Sequence, residues 1–207
     1  MFDGMDIAAQ ITATARQTTS RDGARLVTLR RRYPVPLEAL WAACTRSDRL
    51  SGWMGEVRGA LRTSGRYELV GSGTSGSVRE CVERELVRVT WEVGGGSSLV
   101  ALRFSGEGAS SSLTLDHEVD EDDHWRDYGP AAAGVGWEGS LLALDLHLRE
   151  DPAASPEAML EFGASDAGRD FGRRSAAAWA AASIAAGDDA EWSRQAAVHT
   201  AAFYTGH

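Results

Sequence analysis

The stretch from Tyr128 to Arg149 constrains the fold more than any other part of this chain, because it reads as a glycine-rich approach followed by one long helix. At 100° per residue Trp137, Leu141, Leu144 and Leu148 fall on one face, whereas Leu142 and Leu146 project from the other. Apolar side chains on two faces need cover on two sides, so the helix requires a partner layer in front and another behind.

The residues before it supply a first layer. Six short segments, at about 54–60, 66–71, 76–84, 86–93, 97–105 and 111–119, alternate apolar and polar residues between glycine- and serine-rich connections. Connections this short make neighbouring strands antiparallel. The alternation assigns Tyr67, Leu69, Val78, Val82, Val87, Val89, Trp91, Val93, Val100, Leu102, Phe104, Leu113, Leu115 and Val119 to one covered face, and Glu80 and His117 share its parity. Upstream, Ile7–Ala15 and Arg25–Tyr33 read as a strand hairpin turning at Ser20–Gly23, with Arg30, Arg31 and Arg32 on a solvated edge. Two short helices follow, Leu37–Thr45 and a turn around Asp48–Trp53.

Beyond Arg149 the composition shifts toward alanine. Helix starts at Ser155-Pro156-Glu157, near Ala167 and at Asp188 with Glu191, and stops at Gly163, Gly187 and Gly206, mark a helical extension. The expected organisation is α+β: residues 1–150 as one domain with an N-terminal hairpin, and 151–207 as a helical extension that covers Leu142 and Leu146.

Composition narrows the chemistry. All 21 basic residues are arginine, with no lysine or asparagine in the chain, which excludes a lysine Schiff base and a lysine-containing phosphate loop. A net charge of -9 disfavours nucleic acid and anionic membrane as partners. The all-arginine basic set reads as a GC-rich, bacterial coding sequence; two cysteines, Cys44 and Cys81, make no disulfide framework, and no apolar run is long enough to span a bilayer, so a cytoplasmic protein is expected. Gly71–Gly76 spells G-x-G-x-x-G, but a strand follows it where a phosphate cradle needs a helix, so no cofactor is assigned. Asp116–His124 concentrates carboxylates and histidines at a spacing that fits no metal loop and reads as a solvated acidic turn.

Tyr33-Pro34-Val35-Pro36, Leu40-Trp41, Thr45, Leu50, Trp53, Gly65-Arg66-Tyr67, Thr90-Trp91, Leu113–His117 and Gly136-Trp137 together resemble the SRPBCC superfamily. Within it they resemble bacterial proteins similar to the carboxy-terminal domain of the activator of heat-shock-protein-90 ATPase, over about residues 20–150. Ser64-Gly65 stands where the family often has paired glycines, and Glu83-Arg84 where it often has prolines. The resemblance implies a helix-grip (START-like) fold, a curved antiparallel sheet around a long helix with a cavity between them.

Three functions follow as expectations. The first is non-enzymatic binding of a small, largely apolar ligand by Trp53, Tyr67, Trp91, Tyr128, Trp137, Leu141 and Leu144, with Glu80 and His117 as polar handles. The second is a polyketide cyclase- or hydrolase-like enzyme in which His117 is the general base and Glu80 orients it. The third, from the resemblance alone, is a chaperone-regulating interaction protein; the second apolar face of the helix also leaves room for a homodimer contact.

Overall fold

The computed structural model describes every residue but Met1, Asp3, Asp22 and His207. Eight antiparallel strands form one sheet: β1 (Thr14–Arg21), β2 (Ala24–Tyr33), β3 (Val57–Gly59), β4 (Arg66–Leu69), β5 (Thr74–Val82), β6 (Leu86–Val93), β7 (Gly96–Glu107) and β8 (Ser110–Asp120). Their order is β1-β2-β8-β7-β6-β5-β4-β3. Two short helices, α2 (Leu37–Thr45) and α3 (Ser47–Leu50), link β2 to β3, and α4 (Asp123–Tyr128) and the long α5 (Ala131–Leu148) follow β8. From β1 onward the order read from sequence is observed, with α4 added before the long helix: an α+β helix-grip fold with further helices after it.

Two local readings change. Ile7–Thr12 is a helix, α1, because the Asp6 carboxylate accepts from the Ala9 N–H at 3.0 Å and caps a segment rich in alanine, so β1 begins only at Thr14. The turn read at Ser20–Gly23 includes Asp22, which lies outside the described residues. Arg31 is not on a solvated edge either. β2 lies between β1 and β8, and Arg31 shares the inner parity of Val27, Leu29 and Tyr33, which leaves it 4% exposed.

Burying Arg31 requires a counter-charge, and α5 supplies it. The Arg31 guanidinium lies 3.1 Å from the Asp145 carboxylate and donates to Gln10 Oε1 at 2.7 Å. A second buried pair joins Arg16 of β1 to Glu138 of α5, with Nε donating to Oε1 at 2.6 Å. Each acidic residue sits on the stripe of α5 that faces the first hairpin, so the long helix is positioned by charge pairs as well as by its leucines.

The far side of α5 carries the chain's last helices. A 3-10 turn (Pro152–Ala154) and α6 (Pro156–Ala164) lead into α7 (Asp166–Ala185) and α8 (Ala190–Thr205). Asp189, not Asp188, caps α8, since its side chain accepts from the Trp192 N–H; Asp188 instead accepts from Arg25 at 3.0 Å and from Ser183. The 3-10 turn and α7 pack on α5, and α7 also covers β1. Gly134 makes the α5–α7 approach possible, because a Cβ there would lie 2.2 Å from the indole of the fully buried Trp179. Leu142 and Leu146 are buried, and Phe162, Phe171 and Trp179 belong to the same core cluster as the sheet leucines.

Candidate ligand-binding cavity

The apolar interior has two parts. A large core joins α2, α5, the central strands and the last helices, while Tyr67, Leu69 and Val78 form a small cluster on β4 and β5. Between them lies a cavity of about 110 Å³. Its walls come from the concave side of the sheet (Val78, Val89, Trp91, Leu102), from α5 (Trp137, Ser140, Leu141) and from the segment around α3 and β3 (Trp53, Met54, Val57, Leu61). Val87, Val89, Trp91 and Leu102 face inward from mid-sheet yet are only half-buried, since α5 stops short of covering β5 and β6. An engineered apolar cavity of ~150 Å³ stays dry and takes up benzene, so this space is of the size that admits a small apolar group.

Five of the nine residues singled out from sequence line this space: Trp53, Tyr67, Trp91, Trp137 and Leu141. Trp53 donates its indole N–H to the Ala43 carbonyl at 3.0 Å, and Tyr67 donates its hydroxyl to the Thr90 carbonyl at 2.8 Å. The Tyr67 ring crosses β5 at Gly76, where a Cβ would lie 1.9 Å from the Thr90 carbonyl oxygen and 2.7 Å from the ring. The last glycine of the G-x-G-x-x-G run therefore serves a close approach inside a strand.

The other four lie elsewhere. A β-bulge between Val78 and Glu80 shifts the parity of β5, turning Glu80 outward to an ion pair with Arg88 at 2.8 Å, its side chain 42% exposed. The same shift exposes Val82 and brings Cys81 into the cavity wall. Tyr128 belongs to α4, which ends at Gly129 with φ 59°, and its ring packs near His124, His199 and Phe203 at α8. Leu144 is fully buried one turn beyond Leu141, past the end of the cavity.

His117 keeps the inner parity of β8 but stands behind the cavity wall, 8% exposed. Its Nδ1 accepts from the Trp137 indole N–H at 3.0 Å, and its Nε2 lies 2.8 Å from Ser98 Oγ. Burial lowers its pKa to about 4, so the ring is neutral near pH 7. A folded-state pKa below the unfolded value makes protonation favour unfolding, so stability falls as pH drops below ~6.5. Between pH 7.5 and 5.5 the loss from this residue is about 1 kcal/mol. Urea unfolding at the two pH values should show the native protein losing about that much more than His117→Gln, in which the half-buried His147 remains.

The general-base assignment is thereby corrected. The basic nitrogen of His117 is occupied by an indole, and Glu80 lies on the opposite face of the sheet. Nor is a thiol activated: burial pushes Cys44 up to about 12 and raises Cys81 as well. Among the described residues no cluster of three or more histidine, cysteine or acidic side chains is placed to hold a metal, and no helix is long and apolar enough to cross a membrane.

Comparison with known proteins places this geometry in a family. Residues 34–149 match the family model described as activator of Hsp90 ATPase homolog 1-like protein. CalU16 from Micromonospora echinospora is 30% identical; its crystal structure aligns with a TM-score of 0.62 over 82% of this chain and 98% of that one. The chain belongs to the activator of Hsp90 ATPase homolog 1-like family. The solution structure of CalU16 gives a TM-score of 0.69 over 84% of this chain and 97% of that one, so the likeness extends beyond residues 34–149. DynU16, from the dynemicin biosynthetic locus, shares the fold at 20% identity and TM-score 0.54, over 64% of this chain and 50% of that one. An Aha1 from Colwellia psychrerythraea, solved as a dimer, shares it at 16% identity and TM-score 0.51, over 59% of this chain and 95% of that one. No curated protein matches the chain.

The family match ends where the alanine-rich helices begin, and none of the cavity-lining residues comes from those helices. They pack on the outer side of α5 and stand away from the cavity. Sequence reasoning missed Cys44, Met54, Val57, Leu61, Cys81 and Ser140 in the wall. Met54, Val57 and Leu61 were legible as apolar residues but not as a wall, because only the chain's path around α3 turns them inward.

Proposed function

We propose that this member of the family binds a small, largely apolar ligand between the sheet and α5 without transforming it. The observation that carries the reading is the gap of about 110 Å³ between the two apolar clusters, with Val87, Val89, Trp91 and Leu102 left half-buried along it. Uncovered apolar side chains on a concave face gain from any apolar molecule that displaces water from them, at about 25 cal/mol per Å². The hydroxyls on the wall support binding over chemistry. Thr45 donates to the Trp41 carbonyl and Ser140 to the Gly136 carbonyl, so each is held by its own helix.

Native mass spectrometry of the purified protein tests the proposal: a small-molecule adduct that disappears on denaturation is expected. Val89→Trp, which fills the space from β6, should weaken saturable binding of 1-anilinonaphthalene-8-sulfonate at least ~10-fold, while the melting temperature stays within ~4 °C of the native value. An adduct-free protein that binds no apolar probe would sink the reading.

A further inference from the structure

We propose that His117 is a positioning residue for the cavity: it holds the Trp137 indole in the wall and, through Ser98, ties it to the strand that carries Trp91. The inference rests on the cavity being the binding site proposed above.

The hydrogen-bond directions follow from the groups themselves. An indole N–H can only donate, so His117 Nδ1 must be the accepting nitrogen, and the proton of the neutral ring is on Nε2. Nε2–H then donates to Ser98 Oγ at 2.8 Å, and the Ser98 hydroxyl donates onward to the Trp91 carbonyl at 3.3 Å. The chain Trp137, His117, Ser98, Trp91 runs from α5 through β8 and β7 to β6, with both imidazole nitrogens used. In front of it the Trp137 and Trp91 rings meet at 4.8 Å and 59°, forming one corner of the cavity. The His117 ring stands edge-on to Trp137 at 5.8 Å and 89°.

What singles His117 out is the kind of anchor it provides. Trp53 and Tyr67 are fixed by backbone carbonyls, which any side chain at those positions would leave in place. Trp137 is fixed by another side chain. Removing that acceptor leaves a buried indole N–H without its partner, and the ring can recover a partner only by turning out of the wall. A wall held in its binding rotamer spares the ligand the cost of ordering it, so the effect appears in affinity as well as in folding.

The test compares His117→Leu, which removes the acceptor, with His117→Gln, which restores one, and Ser98→Ala, which leaves the acceptor but frees its far end. Each is read by affinity for 1-anilinonaphthalene-8-sulfonate, tryptophan emission and urea unfolding. His117→Leu should weaken the probe about tenfold and shift tryptophan emission, His117→Gln should recover most of the loss, and Ser98→Ala should fall between them. In a Trp137→Phe background, which has no donor to place, His117→Leu should cost no further affinity. Native-like affinity in a folded His117→Leu, or an equal loss in the Trp137→Phe background, overturns the assignment while leaving the cavity reading intact. Should His117→Leu not fold, the same comparison is made with Ser98→Ala, and native affinity there overturns it equally. A native protein that binds no probe overturns both readings.

Discussion

Deleting residues 151–207 will leave a chain that aggregates or melts far below the native protein. The deletion strips the 3-10 turn and α7 from the outer side of α5 and uncovers Leu142 and Leu146, which are 0% and 8% exposed in the fold. Two leucines returned to water lose about 3–6 kcal/mol, a large part of the 5–15 kcal/mol that separates a folded domain from its unfolded chain. The same cut removes α7 from β1 and so bares an edge strand able to pair with another molecule. It also removes polar ties to the start of α5, where Thr200 donates to the Tyr128 carbonyl and Tyr204 to that of Ala132. Size-exclusion chromatography and a thermal melt of the truncated protein decide the matter; a soluble monomer with an unchanged melting temperature would show that the last helices do not brace α5.

Glu138→Leu will destabilise the protein by about 3–5 kcal/mol, because it leaves Arg16 buried without its counter-ion. The Arg16 side chain is 8% exposed and that of Glu138 1% exposed, so water cannot take the carboxylate's place without opening the structure. Arg16 also donates to the carbonyls of Thr14 and Ile11 at 2.8 and 2.9 Å, and so ties the end of α1 to α5. The double substitution Arg16→Met with Glu138→Leu removes both charges and should recover most of the loss, since a buried ion pair gives little net stability over apolar residues of similar size. Urea denaturation of the two single variants and the double variant closes the cycle. A Glu138→Leu loss below ~1 kcal/mol would mean that solvent reaches the pair.

These two predictions draw on different information. That α5 needs cover on both sides is written in the spacing of Leu141, Leu142, Leu144 and Leu146, because a helix fixes the angle between residues three and four apart. That Glu138 and Asp145 of the same helix reach Arg16 and Arg31 more than a hundred residues earlier is not: no local pattern distinguishes a buried carboxylate from a solvated one. Alternation placed Tyr67, Trp91 and His117 on the concave face for the same local reason that it misplaced Glu80. One bulge after Val78 reverses the side on which every later residue of β5 points, and it arises from the pairing of β5 with β6. Tyr128 failed as a cavity residue because Gly129 breaks the run into two helices.

By itself, then, the sequence determined the order and type of nearly all elements and the family, since periodicity, caps and spaced aromatics are properties of short segments. Only the tertiary structure decided which of the inward residues surround empty space and which are already satisfied. His117 shows the difference: its parity put it on the covered face, but whether its nitrogens are free depends on an indole from α5 and a hydroxyl from β7. Hydrogen-bond partners of a buried group are set by which elements meet, and the meeting is long-range.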